Sequence, residues 1–322
     1  MSNVLVIGGT GFLGSAVVRE LARRTAGADS CFTLPTRRRE RAKHLFVLPT
    51  ARVVDADVHD PATLMRLMDG QDAVINLVGI LKGGEGRPYG EGFARAHVEL
   101  PQKIAAAAKA TGVRRVVHVS ALKAAADAPS GYLRSKAAGE AALKDAGLDL
   151  TIFRPSVIFG EGDSFLTLFA QLAKIAPLFP LAGANARFQP VWVEDVAEAV
   201  VRLGTGAAAL PSVMEACGPD IWTLRELVEL AGRLTGHPRP VVPLPNALAR
   251  LQAAMLELAP GEPMMSRDNL DSMRVDNVAS GQLPGLGALG IQPAALSAVA
   301  PQYLGHKGPR SRLTDLRKTA GR

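Results

Sequence analysis

The 322-residue sequence contains little cysteine, few aromatic residues and no long uninterrupted apolar run. Its two cysteines, Cys31 and Cys217, are too few and too far apart for a disulfide framework or a zinc site, which favours a reducing compartment. Aromatic residues make up 5% of the chain, so no base-stacking platform and no nucleic-acid partner are predicted. The six histidines lack metal-ligand spacing, and no metal is expected.

Targeting and membrane-spanning segments are also missing from the pattern. The most apolar stretch, residues 165–182, includes Lys174, Pro177 and Pro180, which makes it a poor membrane span although it could contact a membrane surface. The first apolar run lacks the basic leader of a signal peptide. We therefore expect a cytoplasmic protein, with a peripheral position on the cytoplasmic face of the inner membrane as the alternative.

The positive charge is concentrated in two segments. The formal net charge is +7, whereas residues 37–43 alone carry +4 and residues 303–322 carry +5. The rest of the chain is close to neutral, which does not match a nucleic-acid footprint spread over a face. The second segment predicts a flexible basic tail, residues 304–322, suited to an anionic membrane surface or an acidic partner.

The order of apolar segments predicts an α/β fold. Short runs rich in Val, Ile and Leu alternate with amphipathic stretches, and this alternation indicates a parallel sheet with helices on both faces. The predicted strands are residues 4–7, 31–36, 52–56, 73–78, 113–119 and 150–154. The predicted helices are residues 12–25, one opened by Asp60 as N-cap and Pro61 at the first position, and residues 94–110, interrupted by Pro101.

We interpret the chain as a Rossmann-type doubly wound parallel sheet with a smaller carboxyl-side lobe. The dinucleotide-binding domain is predicted over residues 1–160, with returning segments near residues 190–218. The lobe, for substrate or docking, is predicted over residues 161–189 and 219–303. Residues 82–92 contain five glycines and are expected to be mobile.

A glycine-rich turn lies between the first predicted strand and the first predicted helix. Gly8, Gly11 and Gly14 allow a tight turn, close approach of backbone N–H groups to a pyrophosphate, and close packing of the helix on the strand. This position predicts a dinucleotide site; a glycine turn without a ligand is the alternative. The candidate cofactor-binding residues of this turn are Gly8, Thr10, Gly11, Phe12, Leu13 and Gly14.

The end of the second predicted strand bears on cofactor choice. A carboxylate there would bind the ribose 2′-OH of NAD, but the strand is followed by Arg37 and Arg38, whose guanidinium groups match phosphate. We therefore predict NADP(H) in preference to NAD(H), with a solvated basic loop as the alternative. Asp57 and Val58, after the third strand, are expected beside the adenine. Leu77, Val78 and Gly79, after the fourth, are expected beside the middle of the cofactor.

Tyr132 and Lys136 are four residues apart in a predicted helix, so both side chains share one face. Ser120 ends the fifth predicted strand, at the carboxyl edge where an open parallel sheet binds ligands. A nearby ammonium favours the phenolate, so Lys136 is expected to lower the pKa of Tyr132 toward a working general acid or base. Ser120 would hydrogen-bond the reacting oxygen.

Two further groups of polar residues have structural interpretations. Glu194 and Asp195 are adjacent and face apart, so Asp195 is expected to act as a helix N-cap rather than as one of a pair of catalytic carboxylates. His118 lies within a predicted strand and is expected to be a core histidine.

These motifs together resemble the extended or atypical short-chain dehydrogenases/reductases over nearly the whole chain. The resemblance depends on residues 8–14, Ser120, Tyr132 with Lys136, Arg154-Pro155 followed by Gly160, and residues 190–197. Within that superfamily the chain is similar to the NAD(P)-binding accessory subunits, alpha subcomplex subunit nine, of respiratory complex I and their bacterial relatives. Four segments are responsible: residues 34–39, 76–81, 130–136 and 266–272.

The resemblance implies two different functions. Superfamily membership implies hydride transfer through a bound nicotinamide, with Ser120, Tyr132 and Lys136 as the catalytic set and with Lys136 and Pro155 as cofactor contacts. Subgroup membership implies a tightly held NADPH with a structural role beside a respiratory membrane complex. Active members commonly offer Asn in the central helix, where this chain has His97.

Two functions therefore remain open. One is a nucleotide-holding accessory or assembly protein of a respiratory NADH:quinone oxidoreductase. The other is an NADPH-dependent oxidoreductase or epimerase/dehydratase that acts on a carbonyl or quinone-like substrate. The sequence makes no prediction of oligomeric state.

Overall fold

The computed structural model of the chain describes residues 3–25, 30–206, 211–257 and 265–305. Residues 306–322 of the predicted basic tail lie outside this range. Within the described residues, no helix has both the length and the apolar character needed to cross a membrane.

Strands and helices alternate through the first half of the chain. The strands are β1 Asn3–Ile7, β2 Cys31–Thr36, β3 Ala51–Asp55, β4 Ala73–Asn76, β5 Arg115–Val119, β6 Asp149–Pro155, β7 Ile158–Phe159, β8 Phe179–Leu181, β9 Arg187–Phe188, β10 Val191–Trp192, β11 Val213–Ala216, β12 Trp222–Thr223 and β13 Val241–Pro243. The helices are α1 Phe12–Arg24, α2 Pro61–Met68, α3 Glu91–Phe93, α4 Leu100–Thr111, α5 Gly131–Lys144, α6 Leu166–Ile175, α7 Val193–Thr205, α8 Leu224–Leu234, α9 Asn246–Glu257, α10 Arg267–Ser272 and α11 Leu296–Leu304. Short 3-10 helices cover Arg39–Leu45 and Leu286–Leu289.

The central sheet has seven parallel strands in the order β11-β6-β5-β4-β1-β2-β3. Its inner strands are buried on both faces, which explains their continuous Val, Ile and Leu character. The strand order reverses between β1 and β4, and ligands of such sheets bind at the carboxyl ends of the strands flanking that point. The predicted α/β, Rossmann-type, doubly wound architecture is confirmed.

Two helical layers cover the sheet. Helices α1 and α7 pack on one face, and their apolar side chains form one core with residues such as Val6, Ile75 and Val117. Helices α2, α4 and α5 pack on the other face against residues such as Leu5, Val74 and Val116. The alternation along each strand therefore assigns His118 and Ser120, which follow Val116 at intervals of two, to the α4–α5 side.

The carboxyl-side half has its own apolar core. This core joins α6, α8 and α11 with the short pairs β8–β13 and β9–β12. Between these elements the chain returns to the main sheet through α7 and β11, and β11 pairs with β6 at the edge. The division into a nucleotide domain and a smaller lobe stays a prediction.

The helix predicted over residues 94–110 differs in its geometry. A π-helical turn covers Ala94–Glu99, between α3 and α4, and Pro101 lies in the first turn of α4 without breaking the chain of helices. Proline is tolerated there because the first helical turn does not need its N–H. The helix predicted over residues 94–110 is therefore interrupted by the π-helical turn, which precedes Pro101, and not by the proline itself.

The two predicted caps have opposite outcomes. Asp60 is the N-cap of α2, and its carboxylate accepts a hydrogen bond from the Thr63 amide at 2.9 Å, so this prediction is confirmed. The prediction for Asp195 is wrong, since Trp192 occupies the N-cap of α7. Asp195 instead accepts a hydrogen bond from the amide of Ala294 at 2.8 Å, which joins α7 to the segment before α11.

The glycine-rich segment 82–92 is closely packed. A Cβ on Gly83 would overlap the ring of Phe93, and a Cβ on Gly90 would overlap the backbone of Gly83 and Gly84. Gly83 and Gly90 are therefore required because the chain packs closely against itself here. This packing explains the two glycines, whereas the number of glycines in the sequence predicts mobility.

Candidate functional site

The turn between β1 and α1 is built from backbone contacts. The amide of Gly9 bonds the carbonyl of Val6 at 3.3 Å, and that of Gly11 bonds Gly8 at 3.1 Å. Gly8 has a φ of +85°, which disfavours other residues. A Cβ on Gly14 would lie 2.6 Å from the carbonyl carbon of Gly9, so only glycine lets α1 begin this close to the turn.

The segment after β4 lies directly against this turn. A Cβ on Gly8 would be 3.3 Å from the carbonyl carbon of Leu77 and 3.4 Å from the amide of Val78. The structure thus brings together the glycine turn and the predicted contacts Leu77, Val78 and Gly79. Gly79 in turn approaches Lys136, whose Nζ would be 3.4 Å from a Cβ at that position.

Lys136 is buried and held by the backbone. Its Nζ donates hydrogen bonds to the carbonyls of Val78 at 3.1 Å and Val119 at 3.2 Å, so it bridges the ends of β4 and β5. Burial lowers the pKa of Lys136 to about 8, against the opposing effect of the Glu140 carboxylate. Glu140 is itself paired with Arg154 at 2.5 Å, which fixes α5 on β6.

Tyr132 departs from the expectation that its pKa would be lowered. Burial, followed by the negative charge of Asp268, raises the pKa of Tyr132 to about 12. The ring packs edge-on to His97 at 5.6 Å and to Phe93 at 6.0 Å, while the lysine ammonium is engaged by carbonyl groups. The tyrosine of this structure therefore favours the phenol form, and the prediction of an acidified Tyr132 is wrong for it.

His97 has both ring nitrogens occupied. The amide of Ile80 donates to Nε2 at 3.1 Å, so Nδ1 carries the proton and donates to Ser135 Oγ at 2.9 Å. Ser135 Oγ then donates to the carbonyl of Tyr132 at 2.7 Å. Burial lowers the pKa of His97 to about 2, so the ring is neutral. It links the segment after β4 to the helix of Tyr132 and has no nitrogen left for a relay water.

Two buried polar atoms beside this network lack protein partners among the described residues: His118 Nε2 and Ser120 Oγ. Asn76 Oδ1 accepts from the amide of Val78 at 3.2 Å, and its Nδ2 donates to His118 Nδ1 at 3.1 Å. His118 Nε2 therefore carries the proton. Burial lowers the pKa of His118 to about 3 and keeps it neutral. This histidine belongs to the core, but it also adds a hydrogen-bond donor to the site.

The residues predicted for the adenosine lie at the other end. Arg37 and Arg38 follow β2 and are exposed, and the amide of Arg38 bonds Thr36 Oγ1 at 3.2 Å. Asp57 follows β3 and accepts from the amide of His59 at 3.0 Å. The positive charge of Arg37 is one of several influences that lower the pKa of His59, after burial. These residues therefore share one edge, separate from Tyr132.

Several contacts of the site are absent from any motif. Ser15 Oγ contacts His44 Nε2 at 2.9 Å and donates to the Gly11 carbonyl, which links the 3-10 helix after β2 to the glycine turn. Asp268 accepts hydrogen bonds from the first two amides of α5, which lie 137 and 136 residues earlier in the chain. Pairing of this kind has no local sequence signal. Pro155 ends β6, where its carbonyl accepts from the amide of Leu122 at 3.1 Å.

The residues present fit a dinucleotide. The turn of Gly8 to Gly14 leaves space beside Gly11, where a Cβ would meet only the Gly8 carbonyl at 3.4 Å. The orphaned Ser120 hydroxyl lies at the carboxyl end of β5, next to the carbonyl that holds Lys136. The described residues contain no group of three or more His, Cys, Asp or Glu that could hold a metal ion.

Comparisons of the sequence give consistent findings. The model of the NAD dependent epimerase/dehydratase family matches residues 4–214. The mouse mitochondrial NADH dehydrogenase [ubiquinone] 1 alpha subcomplex subunit 9 is 31% identical over 93% of this chain and 78% of its own length. A ceramide reductase from Caulobacter vibrioides is also 31% identical, over 76% of this chain and 74% of its own.

A comparison of the fold agrees. The dTDP-glucose 4,6-dehydratase of Streptomyces venezuelae, solved with NAD bound, superposes with a TM-score of 0.71 at 21% identity, covering 94% of this chain and 95% of that one. At this level of identity the match concerns the fold alone.

Proposed function

The chain belongs to the NAD dependent epimerase/dehydratase family, and we propose that it holds NADP(H) as an accessory or assembly protein of a respiratory NADH:quinone oxidoreductase. The nucleotide would lie along the carboxyl edge of the sheet. The turn of Gly8, Thr10, Gly11, Phe12, Leu13 and Gly14 would hold its pyrophosphate through backbone N–H groups. Arg37 and Arg38 would pair with the 2′-phosphate, and Asp57 and Val58 would border the adenine.

The environment of Tyr132 is the observation that favours holding over turnover. Its ring packs against His97 and Phe93, and burial, followed by the charge of Asp268, raises the pKa of Tyr132 to about 12, which disfavours the phenolate that a general base needs. Lys136 would donate to the nicotinamide ribose through its third N–H, since its Nζ already donates to two backbone carbonyls. This arrangement supports a site in which the nucleotide stabilises the protein.

Purification without added nucleotide tests this proposal. We expect the full chain to retain NADP(H) in a one-to-one ratio, identified by chromatography and mass spectrometry of the released nucleotide. Added NADPH should raise the melting temperature of nucleotide-free protein more than NADH does. A protein that neither retains nor binds either nucleotide would overturn the proposal.

An active NADPH-dependent oxidoreductase is the second candidate, favoured by two observations. Ser120, Tyr132 and Lys136 are all present at one edge, and a relative at 31% identity is a ceramide reductase. A bound nicotinamide would supply or accept the hydride. Ser120 would orient the carbonyl of the substrate, Tyr132 would transfer the proton, and Lys136 would hold the ribose.

A turnover assay separates the two candidates. NADPH oxidation would be followed with a panel of ketones, aldehydes and quinones, for the wild type and for Tyr132→Phe. The accessory role predicts retained nucleotide and no turnover by either protein. Turnover that is lost in Tyr132→Phe, while nucleotide binding is kept, would establish the enzyme instead.

The subunit-nine relatives support a respiratory membrane complex as the partner. The position of the protein, cytoplasmic and peripheral to the membrane, remains a proposal from its sequence. We assign that contact to the basic tail, because residues 303–322 carry a net charge of +5. A chain ending at Gly305 should bind NADPH like the full chain and should co-sediment less with anionic vesicles. Equal co-sedimentation by the two chains would remove the tail from the proposal.

A further inference from the structure

Asp268, in the first turn of α10, is placed on the beginning of α5. Its Oδ1 accepts a hydrogen bond from the Gly131 amide at 2.6 Å, and its Oδ2 accepts one from the Tyr132 amide at 3.1 Å. A Cβ on Gly131 would lie 3.2 Å from Oδ1, so glycine at this position admits the carboxylate. The carboxylate therefore satisfies the first two free N–H groups of the helix that carries Tyr132 and Lys136.

The neighbouring residue, Arg267, connects two more elements. Its amide and Nε bond the Glu257 carboxylate of α9 at 2.7 and 2.8 Å, and its guanidinium also pairs with Glu85 of the glycine-rich segment. Ser266 and Asn269 form a capping box that fixes the turn. Residues 266–269, called here the 266–269 turn, thus join α9, the glycine-rich segment and α5 at one place.

Tyr132 lies beneath this turn. Its ring packs in a small apolar cluster with Ala128, Leu133 and Val275, and Val275 comes from the segment just after α10. The ring contacts His97 of the π-helical turn, and Asp268 is the charged group that acts on its phenol. Arg134 and Lys136 belong to the same helix as Tyr132, and the charges of Arg134 and Asp271 act on Asp268. His97 is neutral, Lys136 is held by backbone carbonyls, and Arg134 bonds the carbonyls of Pro88 and Ala128.

We propose that Asp268 is a positioning residue that fixes the start of α5 and adds to the burial that disfavours the phenolate of Tyr132, so that the 266–269 turn contributes to the properties of the site. Two physical effects act in the same direction. The carboxylate lies at the backbone amide of Tyr132, and a negative charge on the same residue's helix turn disfavours the phenolate through charge repulsion. It also neutralises the positive partial charge of the helix N-terminus, which would otherwise stabilise that phenolate. The raised pKa of Tyr132 agrees with this geometry.

The inference rests on the proposed function in one respect, namely that Tyr132 belongs to the nucleotide site. Its test reads the tyrosine directly, without nucleotide. Tyrosinate absorbance near 295 nm would be followed from pH 8 to 13 on the full chain, with circular dichroism at each pH. The ionised fraction of Tyr132 would be compared at the highest pH at which every protein stays folded. The chain has three tyrosines, so the difference from Tyr132→Phe isolates the signal of Tyr132.

Asp268→Asn is the principal variant, because the amide removes the charge and keeps an acceptor for the helix amides. We expect the midpoint of the Tyr132 titration to fall by about one pH unit. Asp268→Ser, another short acceptor, provides the same comparison if the first variant does not fold. Hydrogen exchange of the Gly131 and Tyr132 amides should also be faster in both variants.

Glu85→Gln is the matched control. It removes the same charge from a residue bonded to Arg267, but Glu85 is exposed on the glycine-rich segment. Its Tyr132 titration should match the wild type. A folded Asp268 variant with an unchanged titration would overturn the inference and leave the nucleotide proposal intact. A wild type that binds no nucleotide, with the expected shift in the Asp268 variants, would overturn the nucleotide proposal and leave this inference intact.

Discussion

The two ends of the predicted nucleotide site are built in opposite ways. At the adenosine end, Arg37 and Arg38 are exposed, and the Asp57 carboxylate accepts from the nearby amide of His59. At the end of Tyr132, polar groups are buried and bonded to one another across β4, β5, α5 and the π-helical turn. Exposed cations bind with little reorganisation and are screened by salt, whereas a buried network fixes one geometry.

This difference separates affinity from reactivity. Changes at the adenosine end should alter which nucleotide binds and leave the fold untouched. Changes at the tyrosine end should alter stability and titration, because each buried donor or acceptor that loses its partner costs free energy. The predictions below test that separation, starting from the turn that joins the two ends.

Gly14→Ala should have the largest effect. Its Cβ would lie 2.6 Å from backbone atoms of Gly9, so β1 and α1 must move apart. We expect the free energy of unfolding to fall by about 3 kcal/mol, with loss of retained nucleotide. Gly11→Ala is the control, because its Cβ meets only one atom at 3.4 Å, and it should cost less than about 1 kcal/mol. Urea denaturation measures both; equal losses would contradict the packing argument.

Lys136→Met should change the pH dependence of stability. The pKa of Lys136 is about 8 in the folded protein, against 10.5 for an ordinary lysine, so the folded state releases its proton first as the pH rises. The free energy of unfolding of the wild type should therefore increase between these values, by about 2 kcal/mol from pH ~7 to pH ~9.5 relative to the variant.

Lys144→Met provides the control for this experiment, since it makes the same change on an exposed position of α5. Its stability should follow the wild type across the pH range. A wild type and a Lys136→Met variant with parallel pH profiles would show that the lysine is an ordinary ammonium in the folded protein.

The double variant Arg37→Ala/Arg38→Ala should have the smallest effect on the protein and a selective one on binding. Loss of two charged contacts to a phosphate should weaken NADPH at least about tenfold and change NADH about twofold or less. Lys109→Ala/Arg114→Ala removes equal charge from the last turn of α4 and from the residue before β5, and it should change neither affinity. Calorimetric titration of both nucleotides decides; equal loss of NADPH and NADH would refute the 2′-phosphate assignment.

The sheet and the glycine turn could be predicted because local rules govern them. Buried parallel strands read as continuous apolar runs, and the Asp60-Pro61 pair is a local helix start. The turn from Gly8 to Gly14 depends on backbone conformation, and glycine records that requirement in the sequence itself.

The environment of Tyr132 could not be predicted because its partners come from distant parts of the chain. Proximity in sequence indicated that Lys136 would acidify Tyr132, but the carbonyls of Val78 and Val119 hold the ammonium, and Asp268 comes from another helix. Asp195 shows the same limit, since its partner is Ala294 rather than its own helix. The spacing of two residues in a helix predicts that their side chains share a face. It does not predict which groups from distant parts of the chain also bond to those side chains.

The π-helical turn Ala94–Glu99 makes the position of His97 depend on the number of residues rather than on their identity. Such a turn holds one more residue than an α-helical turn. Deleting one residue between His97 and α4 would rotate the histidine by about 100° around the helix axis. Its ring would then leave both Ile80 and Ser135, although every side chain of the network remained present in the sequence.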